Sequence, residues 1–216
     1  MSTSNIVCSW SGGKDSCFAL MQAIEQGFVP KALLNVLNEE GKISRIHGIP
    51  KHILQQQANA IGLPIQLISS SWQNYEVNFV AALQQLTSAH QLTHALFGDI
   101  DLQAHKDWEE MVCTKANLQA ILPLWKQDRK ALVLQMFAAG IETIIVSCNE
   151  TMGEYFLGKT LSPTVIDELE KLGIDACGEN GEYHTLVLNC PLFTKRIEVT
   201  IVEKLLHRGY WFLKME

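Results

Sequence analysis

The sequence predicts an α/β fold, a doubly wound and mostly parallel sheet followed by a smaller C-terminal α+β lobe. Three observations predict it. Short apolar runs alternate with segments of helical spacing through the first two thirds of the chain. The first run, Ile6-Val7-Cys8, leads into the glycine turn Ser11-Gly12-Gly13-Lys14-Asp15-Ser16 and then into a helical pattern. After about Thr151 the alternation gives way to one helix, an acid- and glycine-rich loop and several strand-like runs. The expected division is therefore 1–150, a sheet domain that binds the ligand, and 151–216, a lobe packed over the mouth of its crevice.

In order, Asn5 to Ser9 reads as a strand, and Lys14 to Gln26 as a helix ended by Gly27. Ala32 to Leu37 is a buried strand, and Asn38 to Lys42 carries turn chemistry. Pro50 suits the first turn of a helix that runs from Lys51 to Ile61 and stops at Gly62. Ile65 to Ser69 is a short strand. Tyr75 to Ala89 shows helical spacing at Val77, Val80, Leu83 and Leu86. Ala95-Leu96-Phe97 is a strand with Gly98-Asp99 at its C-terminal end. Trp108 to Ala116 and Asp128 to Ala139 are helical, and Glu142 to Cys148 is a β-branched strand assigned to the first domain. Beyond it, Ser162-Pro163 opens a helix to Leu172, and strands follow near Leu186–Asn189, Arg196–Val202 and Tyr210–Lys214. In such sheets a ligand binds beyond the strand C-termini, where strand order reverses, so Ser11 to Ser16 and Gly98-Asp99 are expected to share one crevice.

Bulk properties narrow the function. The 216 residues are 47% hydrophobic, enough for a substantial core. No apolar stretch is long enough for a membrane helix, and the N-terminus shows neither basic flank nor apolar segment, so a cytoplasmic setting is expected. The net charge of −6 disfavours nucleic acid as a partner. The six cysteines form no C-x-x-C pair, which argues against a zinc ribbon or a dithiol redox site. The mixed cluster His105 to Glu110 reads as a solvated helix face, with Glu109 either an exposed acid on it or a catalytic one. A homo-oligomer is compatible with the sequence.

The Ser11–Ser16 turn carries the chemistry. The first N–H groups of a helix are unpaired and carry partial positive charge, which makes the turn an anion site. Two glycines permit positive φ and close approach; Lys14 adds a charge, and Ser9, Ser11 and Ser16 add hydroxyls. Asp15 beside a phosphate is repelled unless a cation or an N–H stands between, and Mg²⁺ is the expected mediator. The spacing is neither Walker A nor G-x-G-x-x-G. S-G-G-K-D-S instead resembles the pyrophosphate-binding loop of the ATP pyrophosphatases, which implies an adenine nucleotide α-hydrolase-like, Rossmann-like fold and cleavage of ATP between the α and β phosphates.

A second constellation lies in Glu179-Asn180-Gly181-Glu182-Tyr183-His184-Thr185. Two carboxylates and an imidazole in one flexible loop suit cation binding or proton transfer. Together with Pro191-Leu192-Phe193, Pro123-Leu124-Trp125 and Gly98-Asp99-Ile100, this loop resembles the signature of the diphthine–ammonia ligase family, over Ile6 to about Phe193. Diphthine ligases usually read E-G-G-E-Y-E-T where this chain reads Glu179-Asn180-Gly181-Glu182-Tyr183-His184-Thr185, a departure that resembles the family's bacterial branch. The resemblance implies an ATP-dependent ligase that adenylates a carboxylate and transfers ammonia, on a small-molecule or protein acceptor. In eukaryotes and archaea the acceptor is diphthine on translation elongation factor two. The other readings are a tRNA-modifying enzyme of the same superfamily and a nucleotide sensor without turnover.

The expected roles follow. Ser9, Ser11, Gly12, Gly13, Lys14, Asp15 and Ser16, with His47-Gly48 and Gly98-Asp99, hold ATP. Asp15 holds Mg²⁺. Residues Glu179 to Thr185 bind the acceptor. Lys14, Asp15, Glu182 and His184 are the catalytic candidates.

Overall fold

The computed structural model describes residues 4–216. Its first sheet contains β1 (Asn5–Ser9), β2 (Val29–Leu37), β3 (Ile65–Ser69), β4 (His94–Leu96) and β5 (Gln119–Ile121). All pairings are parallel, in the order β3-β2-β1-β4-β5. The chain winds outward from β1 to β3 and then returns to the other side of β1, so strand order reverses between β1 and β4. The turn after β1 and Gly98-Asp99 after β4 flank that switch point, where the parallel-sheet rule places a ligand.

Side-chain alternation explains why both faces of the sheet are covered. Ile6 and Cys8 of β1 and Leu33 of β2 enter one core, shared with α1 (Lys14–Glu25) and α2 (Lys51–Ile61). Val7, Leu34 and Val36 enter the other, against α3 (Tyr75–His90) and α4 (Gln103–Lys115). A strand buried on both sides reads as a continuous apolar run, which is how β1 and β2 look in the sequence.

The second sheet is antiparallel, in the order β7-β6-β9-β8. It contains β6 (Glu142–Asn149), β7 (Tyr183–Asn189), β8 (Ile201–His207) and β9 (Tyr210–Met215), joined by α5 (Arg129–Ala138) before β6 and α6 (Pro163–Lys171) after it. The expected division at residue 150 falls one residue past β6, yet all the strand partners of β6 lie in the C-terminal sheet. The sheets part between β5 and β6. A β-branched, fully buried run looks alike in either sheet, so its sequence did not reveal its partner. One core still runs from β1 and α1 through β6, β7 and β9.

Two other elements shift. Strand β5, three residues long, was not anticipated. The penultimate strand begins at Ile201, not Arg196, because the tight turn Arg208-Gly209, with φ of 50° and 81°, fixes its pairing with β9. Two consecutive positive-φ residues make the turn that best matches strand twist.

Candidate active site

The turn after β1 is built from beneath. Gly12 has φ of 85°, a conformation that glycine adopts without strain, and a side chain there would strike Gln57, Ile49 and Leu54. Its carbonyl accepts from Val187 N at 2.9 Å and from Gln57 Nε2 at 3.0 Å. Gln57 is fully buried, also reaches Val187 O, and accepts from Trp10 Nε1 at 2.9 Å. Gly13 is not in the positive-φ region; it is glycine for space, since a Cβ would lie 2.7 Å from His47 Cε1. Gly98 is likewise a matter of room: its Cβ would lie 2.7 Å from Ser16 N, so only glycine lets the end of β4 lie against the start of α1.

Within the turn, Gly13 N donates to Ser11 Oγ at 3.2 Å, and Ser11 Oγ lies 3.0 Å from Ser16 Oγ. Lys14 N, the first helical donor, is capped by Thr185 Oγ1 at 3.0 Å. Lys14 is 3% exposed; its Nζ donates to Asp15 Oδ2 at 2.9 Å and to Cys177 O, and lies over the Tyr183 ring. Burial opposes its charge, but Asp15 and its other neighbours outweigh that and hold the ammonium protonated. Burial in turn lifts the Asp15 carboxyl, against the pull of Lys14. Asp15 Oδ1 is buried and has no hydrogen-bond partner among the described residues.

This turn forms the floor of a cavity of about 1390 Å³. Segments 177–181 and 183–185 form its roof, with Tyr210 and Phe212 beside them. The roof loop is braced by Arg129, which takes Asp101 through Nε and Nη2 at 2.9 and 2.6 Å and Asp175 through Nη1 at 3.2 Å. Tyr183 Oη donates to Ala176 O at 2.6 Å.

The two glutamates of this loop face different ways. Glu179 lines the cavity and accepts from Ile100 N at 2.9 Å. Burial, with Asp15 and Asp99 nearby, pushes its carboxyl up to about 7, although the Ile100 N–H pulls the other way. Glu182, expected to be catalytic, turns back on its own loop, where Asn180 N and Nδ2 each donate to it at 3.1 Å. It does not line the cavity. The sequence spacing alone could not say which acid a four-residue turn would consume.

His184 and His47 both line the cavity and stack with ring centroids 4.6 Å apart, beside Gly13. Burial holds His47 down to about 4, although its contact with Thr185 O favours the charged form, and holds His184 well below its usual value. Burial leaves both imidazoles unprotonated at pH 7 and weakens their hold on a proton, which disfavours His184 as a general base. Gly48 packs under Phe212 and does not face the cavity.

The face expected to be solvated is exposed at His105, Asp107 and Glu110, but part of it belongs to the cavity wall. His105, Trp108 and Glu109 line it, and Glu109 is 3% exposed with Oε2 unpartnered. Burial and the neighbouring Asp99 push Glu109 up to about 11. Asp99 lies 2.7 Å from His105 Nδ1. The signal was readable: Glu109 shares the i, i+3, i+4, i+7 stripe of Val112, Cys113 and Ala116, as Gln57 shares that of Ile53, Leu54 and Ala58. A polar residue on an apolar stripe was the overlooked mark. The cavity also takes in Arg45, Trp72 and Tyr75, none of them singled out from the sequence.

Comparisons with known proteins agree with this arrangement. The family descriptions "Diphthamide synthase N-terminal domain" and "Diphthamide synthase C-terminal domain" match residues 4–120 and 128–216. The diphthine–ammonia ligase of Mus musculus is 29% identical over 223 residues, covering 91% of this chain and 83% of that protein. The Homo sapiens protein of that name shows the same identity and coverage. A Schizosaccharomyces pombe diphthine–ammonia ligase is 30% identical over 91% of this chain, which spans 36% of that longer protein. Among the described residues, no helix is long and apolar enough to cross a membrane.

Proposed function

Because the chain belongs to the diphthamide synthase family, we propose that it is an ATP-dependent ligase that adenylates a carboxylate and releases it as an amide, with AMP and pyrophosphate as the other products. The observation that carries the reading is the pairing of floor and roof. A phosphate-type turn sits at the switch point of a parallel sheet. Across one cavity stands Glu179, whose carboxyl is held near neutrality.

The phosphates of ATP bind over Ser11 to Ser16, with the remaining N–H groups of the first turn of α1 and Lys14 supplying positive charge. Asp15 fits a magnesium nucleotide, since its free oxygen offers one protein ligand. Among the described residues no group of three or more His, Cys, Asp or Glu is set to hold a metal alone, so a bound Mg²⁺ would take its other ligands from phosphate and water. The acceptor carboxylate displaces pyrophosphate from the α-phosphorus. Ammonia then attacks the acyl-adenylate, and AMP leaves. A carboxylate titrating near 7 is suited to removing a proton from ammonium at physiological pH, which assigns that role to Glu179. The neutral His47–His184 pair walls the reaction from water. Diphthine is the acceptor named for the relatives, and here it is the first substrate to try.

The test is product analysis with ATP, Mg²⁺, ammonium and diphthine-bearing elongation factor two. AMP and pyrophosphate formed with the amide support the reading; ADP and phosphate would overturn it. AMP formation that needs a different carboxylate would keep the chemistry and change the acceptor.

A further inference from the structure

Strand β8 is an edge strand of the antiparallel sheet, and its outer side is bare. Among the described residues it pairs with β9 alone, and it is the one strand whose residues are all exposed. Large apolar side chains crowd it: Ile201, Val202, Leu205 and Leu206 are 44% to 49% exposed. Apolar side chains gathered on one edge mark an interaction site. Edges that stay free are blunted by a proline, a projecting lysine or a bulge. This strand has no proline. Its lysine, Lys204, folds back on its own chain and donates to Glu154 O at 2.7 Å. Its bulge lies between Ile201 and Glu203, which leaves 203–207 regular.

The pattern of that edge says what fits it. His207 and Tyr210 flank a two-residue turn, which makes them a hydrogen-bonded pair. Backbone groups alternate from there. Residues 203, 205 and 207 spend theirs on β9, while Lys204 and Leu206 aim N–H and C=O outward. A second copy can dock antiparallel about a twofold axis normal to the sheet. Such an axis keeps each face of the sheet on its own side, so only residues of one face lie opposite each other. Three axes bring the outward groups together. An axis at Lys204 sets Lys204 against the partner's Lys204. An axis at Leu206 sets Lys204 against the partner's Arg208. An axis at Leu205 sets Leu205 on the partner's Leu205, Lys204 beside the partner's Leu206 and Glu203 opposite the partner's His207. Only the last brings no like charges together, and it gives each carboxylate an imidazole across the seam. Glu203 already holds Lys214 through Oε1 at 2.7 Å, and one carboxylate accepts from both.

We propose that the chain forms a homodimer in which β8 pairs antiparallel with the partner's β8 about an axis at Leu205, joining the two antiparallel sheets into one. The proposal is independent of the ligase reading, since β8 contributes nothing to the cavity wall.

The test begins with sedimentation velocity on the full chain over roughly 1 to 100 µM, the range in which a modest interface associates. A dimer that dissociates on dilution is expected, and a monomer throughout overturns the proposal. Leu205→Lys puts two lysines together at the axis and should weaken association by roughly tenfold or more, with circular dichroism unchanged because the position is exposed. Leu206→Pro removes an outward N–H that β9 does not use and should do the same. If both variants dimerise as the wild type does, the interface lies elsewhere and the proposal falls. Cysteine substitution then reads the register. Facing residues whose backbone groups point away from the seam have Cα atoms about 4.5 Å apart, within disulfide reach. The native cysteines are all buried. With diamide as oxidant, Leu205→Cys should give a covalent dimer on a non-reducing gel and Glu203→Cys should not. No crosslink at 205, or a stronger one at 203, would overturn the register.

Discussion

The floor turn at 11–16 and the roof loop at 177–185 both mix glycines with acids and hydroxyls, but they spend their polar groups differently. In the floor, Ser11, Ser16 and Lys14 are hydrogen-bonded to the turn itself or to the roof, and Asp15 Oδ1 is left over. In the roof, Glu182 is consumed by its own turn, while Glu179 remains open to the cavity. A preorganised floor suits a ligand whose shape never changes, such as a triphosphate. A roof with one titrating carboxylate suits a step in which a proton moves. Lys14 belongs to both, since its ammonium also holds Cys177 O.

Removing that shared residue should have the largest effect. Lys14→Ala is expected to lower AMP formation by roughly two orders of magnitude or more, the usual loss when one donor to developing charge is deleted. It should also weaken binding of α,β-methylene ATP in calorimetry, and lower the melting temperature because the roof loses its tie. Unchanged nucleotide affinity would mean that the floor does not hold phosphate.

The next test sets the two roof glutamates against each other. Glu179→Gln should cut amide formation at pH 7 by about a hundredfold, within the range for a lost general base. Glu182→Gln should stay within about twofold, since its partner is Asn180. The wild-type rate should rise as Glu179 loses its proton through about pH 7 and level above it. Glu179→Gln should lose that inflection. Equal losses in the two variants would erase the distinction between an open and a consumed carboxylate.

Much of the floor was legible in the sequence because its chemistry is local. A strand, two glycines and a helix start are consecutive, and each residue's task follows from its neighbours. The roof was legible only as a cluster. Which of Glu179 and Glu182 faces the cavity depends on Ile100, seventy-nine positions away, and on a bond inside the turn. The partner of β6 was hidden for a related reason, since burial on both sides gives the same apolar run in a parallel or an antiparallel sheet.

Between floor and roof stands Glu109, and its effect should be smaller and visible in stability. Its carboxyl is pushed from 4.5 up to about 11 by burial and then Asp99. The folded chain therefore keeps a proton that the unfolded chain gives up above about pH 4.5. Stability from this site is complete below that pH and is lost as pH climbs toward 11. Glu109→Gln carries no such proton, so its stability relative to wild type should grow from pH 5 to pH 8. A gain on the order of 1–3 kcal/mol between those two pH values, read from urea unfolding, is expected. A difference that shrank with pH would show that Glu109 is ionised in the fold, and that the wall carries a charge the cavity must neutralise.

The smallest change probes the joint between the two regions. Thr185 Oγ1 caps Lys14 N, and Thr185 O contacts His47 Nδ1, so one residue of β7 fastens the start of α1 and a wall of the cavity. Thr185→Val keeps the shape and the backbone carbonyl and removes only the hydroxyl, so Lys14 N is orphaned in a buried place. The expected loss is about 1 kcal/mol of stability, the usual cost of a helix cap. If the roof also sets the floor, nucleotide affinity should fall a few-fold beyond what the stability loss explains, because an uncapped first turn no longer holds its remaining N–H groups in one direction. Thr185→Ser should restore both, since the hydroxyl returns even though a methyl is missing. Loss of stability with nucleotide affinity intact would mean that the floor is preorganised by Gln57 and Gly98 alone, and that the roof contributes chemistry without contributing shape.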